Sequence, residues 1–405
     1  MKRNFPRLLV ALVAALALNV AHAQSALRQE VGKPLQAAQE MIKAGKYREA
    51  LAKVREAEAV GGKTANETSM IERMRLAAAS GAGDADTAAR SFEAISGSVG
   101  GADKLRMIES IAGSFYRARE YSKAMQWYQR YFREGGTSSA NRTLMIQTQY
   151  LSGDFAGASK ELIAEIQSAE KNGSVPAEDR INLLMNAAVK QKDIANETFA
   201  LERLVSYYPK KEYWVTLLSR LQRKPNFSDR LALDAYRLSL ATGSMTAAND
   251  YSEMVQLALQ AGSGAEAQQV LEKGFAAGAL GAGPEAERHK RLRDLVNKRV
   301  AEAAKAQTSE LAQATVAKDG NDLVTIGLNQ VFEGQKARGV ALMQQGIAKG
   351  GLKRAEDAKL HLGIAQLLAG DSTKAQATLK SVTGTDGTAD LARLWALYAR
   401  RAKPA

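Results

Sequence analysis

A short turn recurs along this chain at a nearly fixed interval, and it constrains the fold more than any other feature. Its copies read Gly45-Lys46-Tyr47-Arg48-Glu49-Ala50, Gly83-Asp84-Ala85-Asp86-Thr87-Ala88, Arg119-Glu120-Tyr121-Ser122-Lys123-Ala124 and Gly153-Asp154-Phe155-Ala156-Gly157-Ala158. The closing alanines lie 38, 36 and 34 residues apart, and later turns close at Ala267, Gly339 and Ala375, with separations of 72 and 36. Periods of about 20–50 residues mark arrays in which one supersecondary unit is copied and stacked.

Between the turns the residues read as helix. Apolar side chains recur at i, i+3, i+4 and i+7 almost throughout, and no stretch after residue 30 sustains the alternation of a half-buried strand. Glycine-rich punctuation at Gly61-Gly62, Gly97 to Gly101, Gly135-Gly136, Asn172-Gly173, Gly278 to Gly283 and Gly350-Gly351 leaves blocks long enough for two helices each. Pro34, Pro176, Pro209, Pro225, Pro284 and Pro404 are expected at helix starts, in connections or in the tail. With 405 residues the chain has room for two or three domains of roughly 100–200 residues, and the period favours one all-α array instead.

Composition removes whole classes of chemistry. With 45% hydrophobic and 24% charged residues the chain has enough apolar side chain to fold. It has no cysteine, which excludes disulfides, zinc ribbons, iron–sulfur clusters, attached haem, thiol nucleophiles and the acylated N-terminus of a lipoprotein. Its three histidines, His22, His289 and His361, are too few for a histidine-rich metal site, so no metal, no cofactor and no catalytic residue is expected. His289, in the basic run Arg288-His289-Lys290-Arg291, is expected at the surface, and His361 in repeat packing.

Lys2, Arg3 and Arg7 precede an apolar run from Leu8 to Val20, and Ala21-His22-Ala23 completes a signal peptide cleaved after Ala23. The run of 13 residues falls short of the ~20 that span a bilayer, so export and release are expected. The formal net charge is +13, or +10 once Lys2, Arg3 and Arg7 are removed, and an exported basic chain meets anionic lipid, glycan and acidic protein rather than nucleic acid. The chain then divides into a signal peptide (1–23), a short tail (24–30), an N-terminal array (31–277), a glycine-rich connection (278–284), a long helical stretch (285–318), and C-terminal repeats with a capping helix (319–401). In that last segment Leu391, Leu394, Trp395 and Tyr398 share one stripe.

At Leu362-Gly363, Gly370-Asp371, Ala375 and Leu379, and again at Ile108, Ile111, Ala112, Phe115, Ala124 and Tyr128, the chain resembles the tetratricopeptide repeat, a helix–turn–helix of roughly 34 residues. The resemblance runs from about residue 31 to 400 and departs from the pattern where Glu197 and Gly339 replace the small alanine. It implies a right-handed α-solenoid of helix hairpins, stacked into one cooperative rod. It also implies a concave groove, lined by the first helix of each pair, that receives a partner's peptide or helix. Carried over position by position, the groove residues are Arg106, Glu109, Tyr116 and Arg117 in the third pair, Thr143, Gln147 and Tyr150 in the fourth, and Asn182, Asn186 and Lys190 in the fifth. Amide and guanidinium groups can bond a peptide backbone or carboxylate, and tyrosine adds contact area. The last three partly resemble the clamp by which some members hold a C-terminal carboxylate, with asparagine where the family has lysine. Secreted members serve outer-membrane biogenesis, cell-wall synthesis, polysaccharide export and energised transport, so the implied role is a non-catalytic periplasmic scaffold for envelope proteins.

Three further features carry less. Ala57-Glu58-Ala59-Val60-Gly61-Gly62-Lys63-Thr64 matches a relaxed phosphate loop, yet it falls where a helix ends rather than after a strand. Seven of the 3 tryptophans, 12 tyrosines and 9 phenylalanines fall between Phe115 and Phe132, mostly in packing slots. The stretch Glu285 to Lys305 holds seven Lys or Arg against four Asp or Glu, and offers the alternative of a peripheral contact with anionic lipid, wall polymer or glycan.

Overall fold

The computed structural model describes residues 27–400, so the signal-peptide reading of residues 1–23 lies outside the described residues. Among these there are twenty α-helices and no strand. They fall into two compact units, residues up to Ser168 with Asn186–Asp193, and Ala169–Met185 with Ile194 onward.

Unit 1 holds α1 (Gln29–Lys43), α2 (Tyr47–Glu58), α3 (Ala65–Ala82), α4 (Ala85–Ile95), α5 (Gly101–Arg117), α6 (Tyr121–Arg133), α7 (Ser139–Ser152), most of α8 (Phe155–Lys171) and the C-terminal part of α9 (Glu178–Gln191). Helices α1/α2, α3/α4 and α5/α6 pack as hairpins, and α1, α3 and α5 stack in order. The repeated turn explains why. Gly45, Gly83, Arg119, Gly153 and Lys192 are left-handed, with Arg119 at φ 62° and Lys192 at φ 57°. After Gly45, Gly83, Arg119 and Lys192 the next N–H reaches back to the carbonyl five residues earlier, as Lys46 to Met41 at 2.8 Å and Glu120 to Phe115 at 2.9 Å, which closes the helix end and reverses the chain. Ala50, Ala88, Ala124 and Ala158 then lie fully buried, where a larger side chain would hold the second helix away from the first. Phe115, Tyr128, Ile108 and Phe92 fill the seam between repeats, and Trp127 is half-buried with its ring edge-on to Phe92 at 5.5 Å.

Unit 2 continues with α10 (Ile194–Tyr207), α11 (Lys211–Gln222), a short 3-10 turn at Asp229–Leu231, α12 (Ala232–Ala241), α13 (Ala248–Gln260), α14 (Gly264–Ala276), α15 (Ala286–Val316), α16 (Asn321–Phe332), α17 (Lys336–Lys349), α18 (Ala355–Leu368), α19 (Ser372–Lys380) and α20 (Thr388–Ala399). Both departures from the repeat pattern are compensated here. Glu197 is buried but ion-paired with Arg220 of α11. Gly339 and Gly327 let α17 and α16 touch backbone to backbone: a β-carbon on Gly339 would run into the Gly327 carbonyl oxygen, and one on Gly327 would stand 2.6 Å from the Gly339 carbonyl oxygen.

Unit 2 also closes on itself, where the repeat pattern leads to a rod. Its last helix covers α10 and α12: Arg393 pairs with Glu202 at 2.8 Å, Lys224 with Asp390 at 2.8 Å, and the Tyr398 ring meets Trp214 edge-on at 6.5 Å. Arg230 donates to both Asp357 oxygens at 2.8 and 2.9 Å, and the Ser228 N–H donates to the Asp386 carbonyl at 2.9 Å. Leu391, Leu394 and Trp395, the predicted capping stripe, are buried.

Two local expectations are corrected. Pro34 is not at a helix start but at the sixth residue of α1, because Arg28, bonded to Glu67 and to the Gly61 and Gly62 carbonyls, anchors the helix start earlier. His289 is buried, not on the surface, and its Nδ1 accepts the Gly281 N–H at 3.1 Å, so it pins the glycine-rich connection to α15.

Candidate functional site

In unit 1 the first helices of two successive hairpins, α5 and α7, carry a row of polar and aromatic side chains beside the packed seam. Helix periodicity sets this: Ile108, Ile111, Ala112 and Phe115 turn into the core, and Arg106, Glu109 and Tyr116 are left half-buried on another side. On α7 Met145 and Ile146 are buried while Thr143, Gln147 and Tyr150 stay half-buried. The two helices are joined where the Tyr116 hydroxyl donates to the Gln147 side-chain oxygen at 3.4 Å, and Tyr116 meets Tyr121 edge-on at 5.8 Å. Tyr150 meets Phe155 edge-on at 5.3 Å, which fixes its ring at the end of the row.

Charge in this row is partly withdrawn from water. Burial pushes the Glu109 carboxyl up, with Asn141 beside it opposing, and burial likewise raises the Tyr116 hydroxyl. Arg117 is lowered by burial and donates to the Ser80 carbonyl at 3.2 Å and the Ser114 hydroxyl at 2.9 Å, so it ties α5 to α3. Arg106 pairs with Asp103 one turn back. The row therefore presents a phenol, amides, a carboxyl and guanidinium groups in fixed positions, able to bond a backbone or a carboxylate.

The fifth-pair positions are placed differently. Asn186 and Lys190, in the unit 1 part of α9, are exposed. Asn182, in the unit 2 part, is half-buried and donates to the Tyr213 hydroxyl at 3.2 Å, while Tyr213 donates to Glu178 at 2.6 Å. Sequence reasoning missed the residues that steady the row, Asn141, Ser80 and Ser114. Nothing local marks them, because their roles depend on the stagger between neighbouring helices.

The phosphate-loop lookalike is a helix junction. Lys63 donates to the Glu58 and Val60 carbonyls at 2.6 and 2.7 Å, closing the end of α2. Thr64 and Glu67 form a reciprocal cap on α3, and the Arg28 hydrogen bond, followed by the Thr64 N–H, holds the Glu67 carboxyl down at about 2. In the basic stretch, Arg288, Lys290, Arg293 and Arg299 are paired with Glu285, Glu287, Glu272 and Glu302, while Arg291, Lys298 and Lys305 have no ion pair among the described residues. No group of three or more His, Asp or Glu among the described residues is placed to hold a metal ion, and no described helix is long and apolar enough to cross a membrane.

Hairpins closed by one repeated turn and stacked in order define an all-α helical-repeat protein. No family model and no curated protein matches the chain. Among solved structures, the crystal structure of the yeast Tom70 is similar over 91% of this chain and 95% of that chain, at 10% identity and a TM-score of 0.25. That superposition carries no residue and no partner across.

Proposed function

We propose that this protein is a non-catalytic scaffold of the bacterial periplasm, holding a peptide or helix of an envelope protein against the α5–α7 face of unit 1. One observation carries the reading: the half-buried row Glu109, Tyr116, Thr143, Gln147 and Tyr150 stands on two successive first helices whose opposite sides are fully engaged in packing. Groups of this kind, partly desolvated and held in place, bind a partner at little ordering cost. Export rests on the charged, apolar and small-residue segments of residues 2–23.

The alternative, an anionic glycan, wall polymer or lipid held by Glu285 to Lys305, has Arg291, Lys298 and Lys305 as its cations without an ion pair among the described residues. Salt separates the two readings, because exposed charge is screened and a desolvated face much less so. The test is a pull-down from envelope extract with the mature chain and a Tyr116→Ala/Gln147→Ala variant, at low and high salt. Retention of one protein at both salts by the parent, and its loss from the variant, supports the scaffold. Recovery of glycan or lipid alone, equal for both chains and lost at high salt, overturns it.

A further inference from the structure

Unit 2 contains a cleft of about 980 Å³, walled by α13, α15 and α16. Ligand pockets run to about 1,000 Å³, so the space is large for a small molecule. It exists because α15 is too long for a hairpin. At 31 residues it extends about 46 Å at roughly 1.5 Å per residue. Its first half is seated against α13 and α14 through Leu292, Val296 and Val300. Its far end is held where Ala314 is buried and Lys349 donates to the Ala314 and Thr315 carbonyls at 3.2 and 2.8 Å. Meanwhile α16 packs directly on α14, with the Asn329 amide donating to the Gly262 carbonyl at 2.9 Å. The middle of α15 is left facing open space.

The face it presents has a definite form. Arg299, Ala303, Ala306, Glu310 and Gln313 line the cleft at steps of four, three or four residues, the spacing of a seam between two packed helices. Ala303 and Ala306 lie in its middle, so another backbone can come close, and Leu295, 45% exposed, stands at one end. Its charge is opposite to that of the chain. The lining carries Glu302, Glu310, Asp322 and Glu333 against Arg299 alone, in a protein of net charge +13. Arg299 is taken up by Glu302 at 3.3 Å, and Glu333 accepts from Gln307 at 2.7 Å. Glu310 and Asp322 are exposed and have no ion pair among the described residues.

We infer that this cleft is a second docking surface, taking a basic amphipathic helix of a partner protein: small or apolar residues against Ala303 and Ala306, Lys or Arg toward Glu310 and Asp322. This goes beyond the scaffold reading, which rests on unit 1, and can stand if that reading fails. The probe is a synthetic helical peptide of about 20 residues, roughly 30 Å long, with alanine and leucine at alternating three- and four-residue spacing and lysine elsewhere, labelled for fluorescence anisotropy. Its counterpart has glutamate in place of lysine. The full mature chain is expected to bind the lysine peptide saturably and to ignore the glutamate peptide. Glu310→Lys/Asp322→Lys is expected to weaken the lysine peptide at least about tenfold, with an unchanged melting temperature since both residues are exposed. Glu30→Lys/Glu49→Lys, an equal charge change on unit 1, and Tyr116→Ala are expected to leave binding within about twofold. Equal binding of both peptides, or equal losses from the two charge reversals, overturns the inference. An unchanged lysine-peptide affinity in Glu310→Lys/Asp322→Lys does so too.

Discussion

Removing the buried cation Arg237 should destabilise unit 2 severely. Its guanidinium donates to both Glu266 oxygens at 2.6 Å and to Asp234 at 2.7 Å, and its side chain is 5% exposed. Asp234 in turn meets the His361 ring at 3.0 Å, so the cluster joins α12 and α14 to α18. Burial alone would raise Asp234, but His361 and Arg237 outweigh it and hold its carboxyl well below the usual range. In Arg237→Met the Glu266 carboxylate stays buried with no cation, a loss of about 3–5 kcal/mol. At about 2–4 °C per kcal/mol for a unit of this size, the melting temperature followed by circular dichroism should fall about 6–20 °C at pH 7. In the parent, the depressed Asp234 contributes stability above its unfolded value near 4, lost as pH falls through the folded value. In the variant the buried Glu266 has no counter-charge, and burying an unpaired carboxylate penalises its charged form, so the penalty is largest at neutral pH and relieved on acidification. The gap between variant and parent should therefore narrow from pH 7 to 5, and adding Glu266→Leu should recover much of the loss. A parent-like melt at pH 7, or a gap that widens toward pH 5, would refute this reasoning.

Four further changes test the packing. Gly327→Ala puts a β-carbon 2.6 Å from the Gly339 carbonyl oxygen, and should lower stability by about 1–2 kcal/mol despite better helix propensity. Gly113→Ala, where the added carbon meets only the Arg117 side chain at 3.4 Å, should raise the melting temperature, and thermal melts that shift the same way for both would sink the close-approach account. Arg119→Gly removes a side chain from a left-handed residue at φ 62° and should stabilise by up to about 1 kcal/mol, read as the denaturant midpoint at constant slope. A chain ended at Gly387 lacks buried Leu391, Leu394 and Trp395, on the order of 1.5–3 kcal/mol each, and uncovers α10 and α12. It should aggregate in gel filtration, and a stable monomer with an unchanged melt would count against the capping role.

What could be read from the sequence was what neighbours along the chain decide. The left-handed turn and the buried alanine after it are set within six residues, so Gly45 and Ala50, or Gly83 and Ala88, announce a hairpin wherever they occur. Helical periodicity also separates Phe115 and Tyr128 in the seam from Tyr116 on the polar row. What could not be read was which side chains meet across helices. The Tyr116–Gln147 bond spans 31 residues, and the compensation of Glu197 by Arg220 depends on how α10 and α11 are staggered. His289 misled because Arg288, Lys290 and Arg291 around it are charged and exposed, while its own register on α15 faces the connection at Gly281.

The closure of unit 2 lies furthest from the repeat pattern, for a physical reason. A period specifies the contact between one hairpin and the next, and stacking energies of that kind are satisfied equally by an open array. Closure is made by pairs 127 to 191 residues apart, from Arg230 with Asp357 to Arg393 with Glu202. Each is a modest surface interaction by itself. Together with the buried Asp234–His361 contact and the apolar face of α20 they bind the last repeats to the first ones of the unit. An open array can fray from a free end, repeat by repeat. A unit whose last helix covers α10 and α12 loses both ends at once when that helix lifts, so its opening is coupled across about 190 residues. The cleft beside α15 lies in the same closed unit, but its walls are set by their own ties, Asn329 to the Gly262 carbonyl and Lys349 to the Ala314 and Thr315 carbonyls.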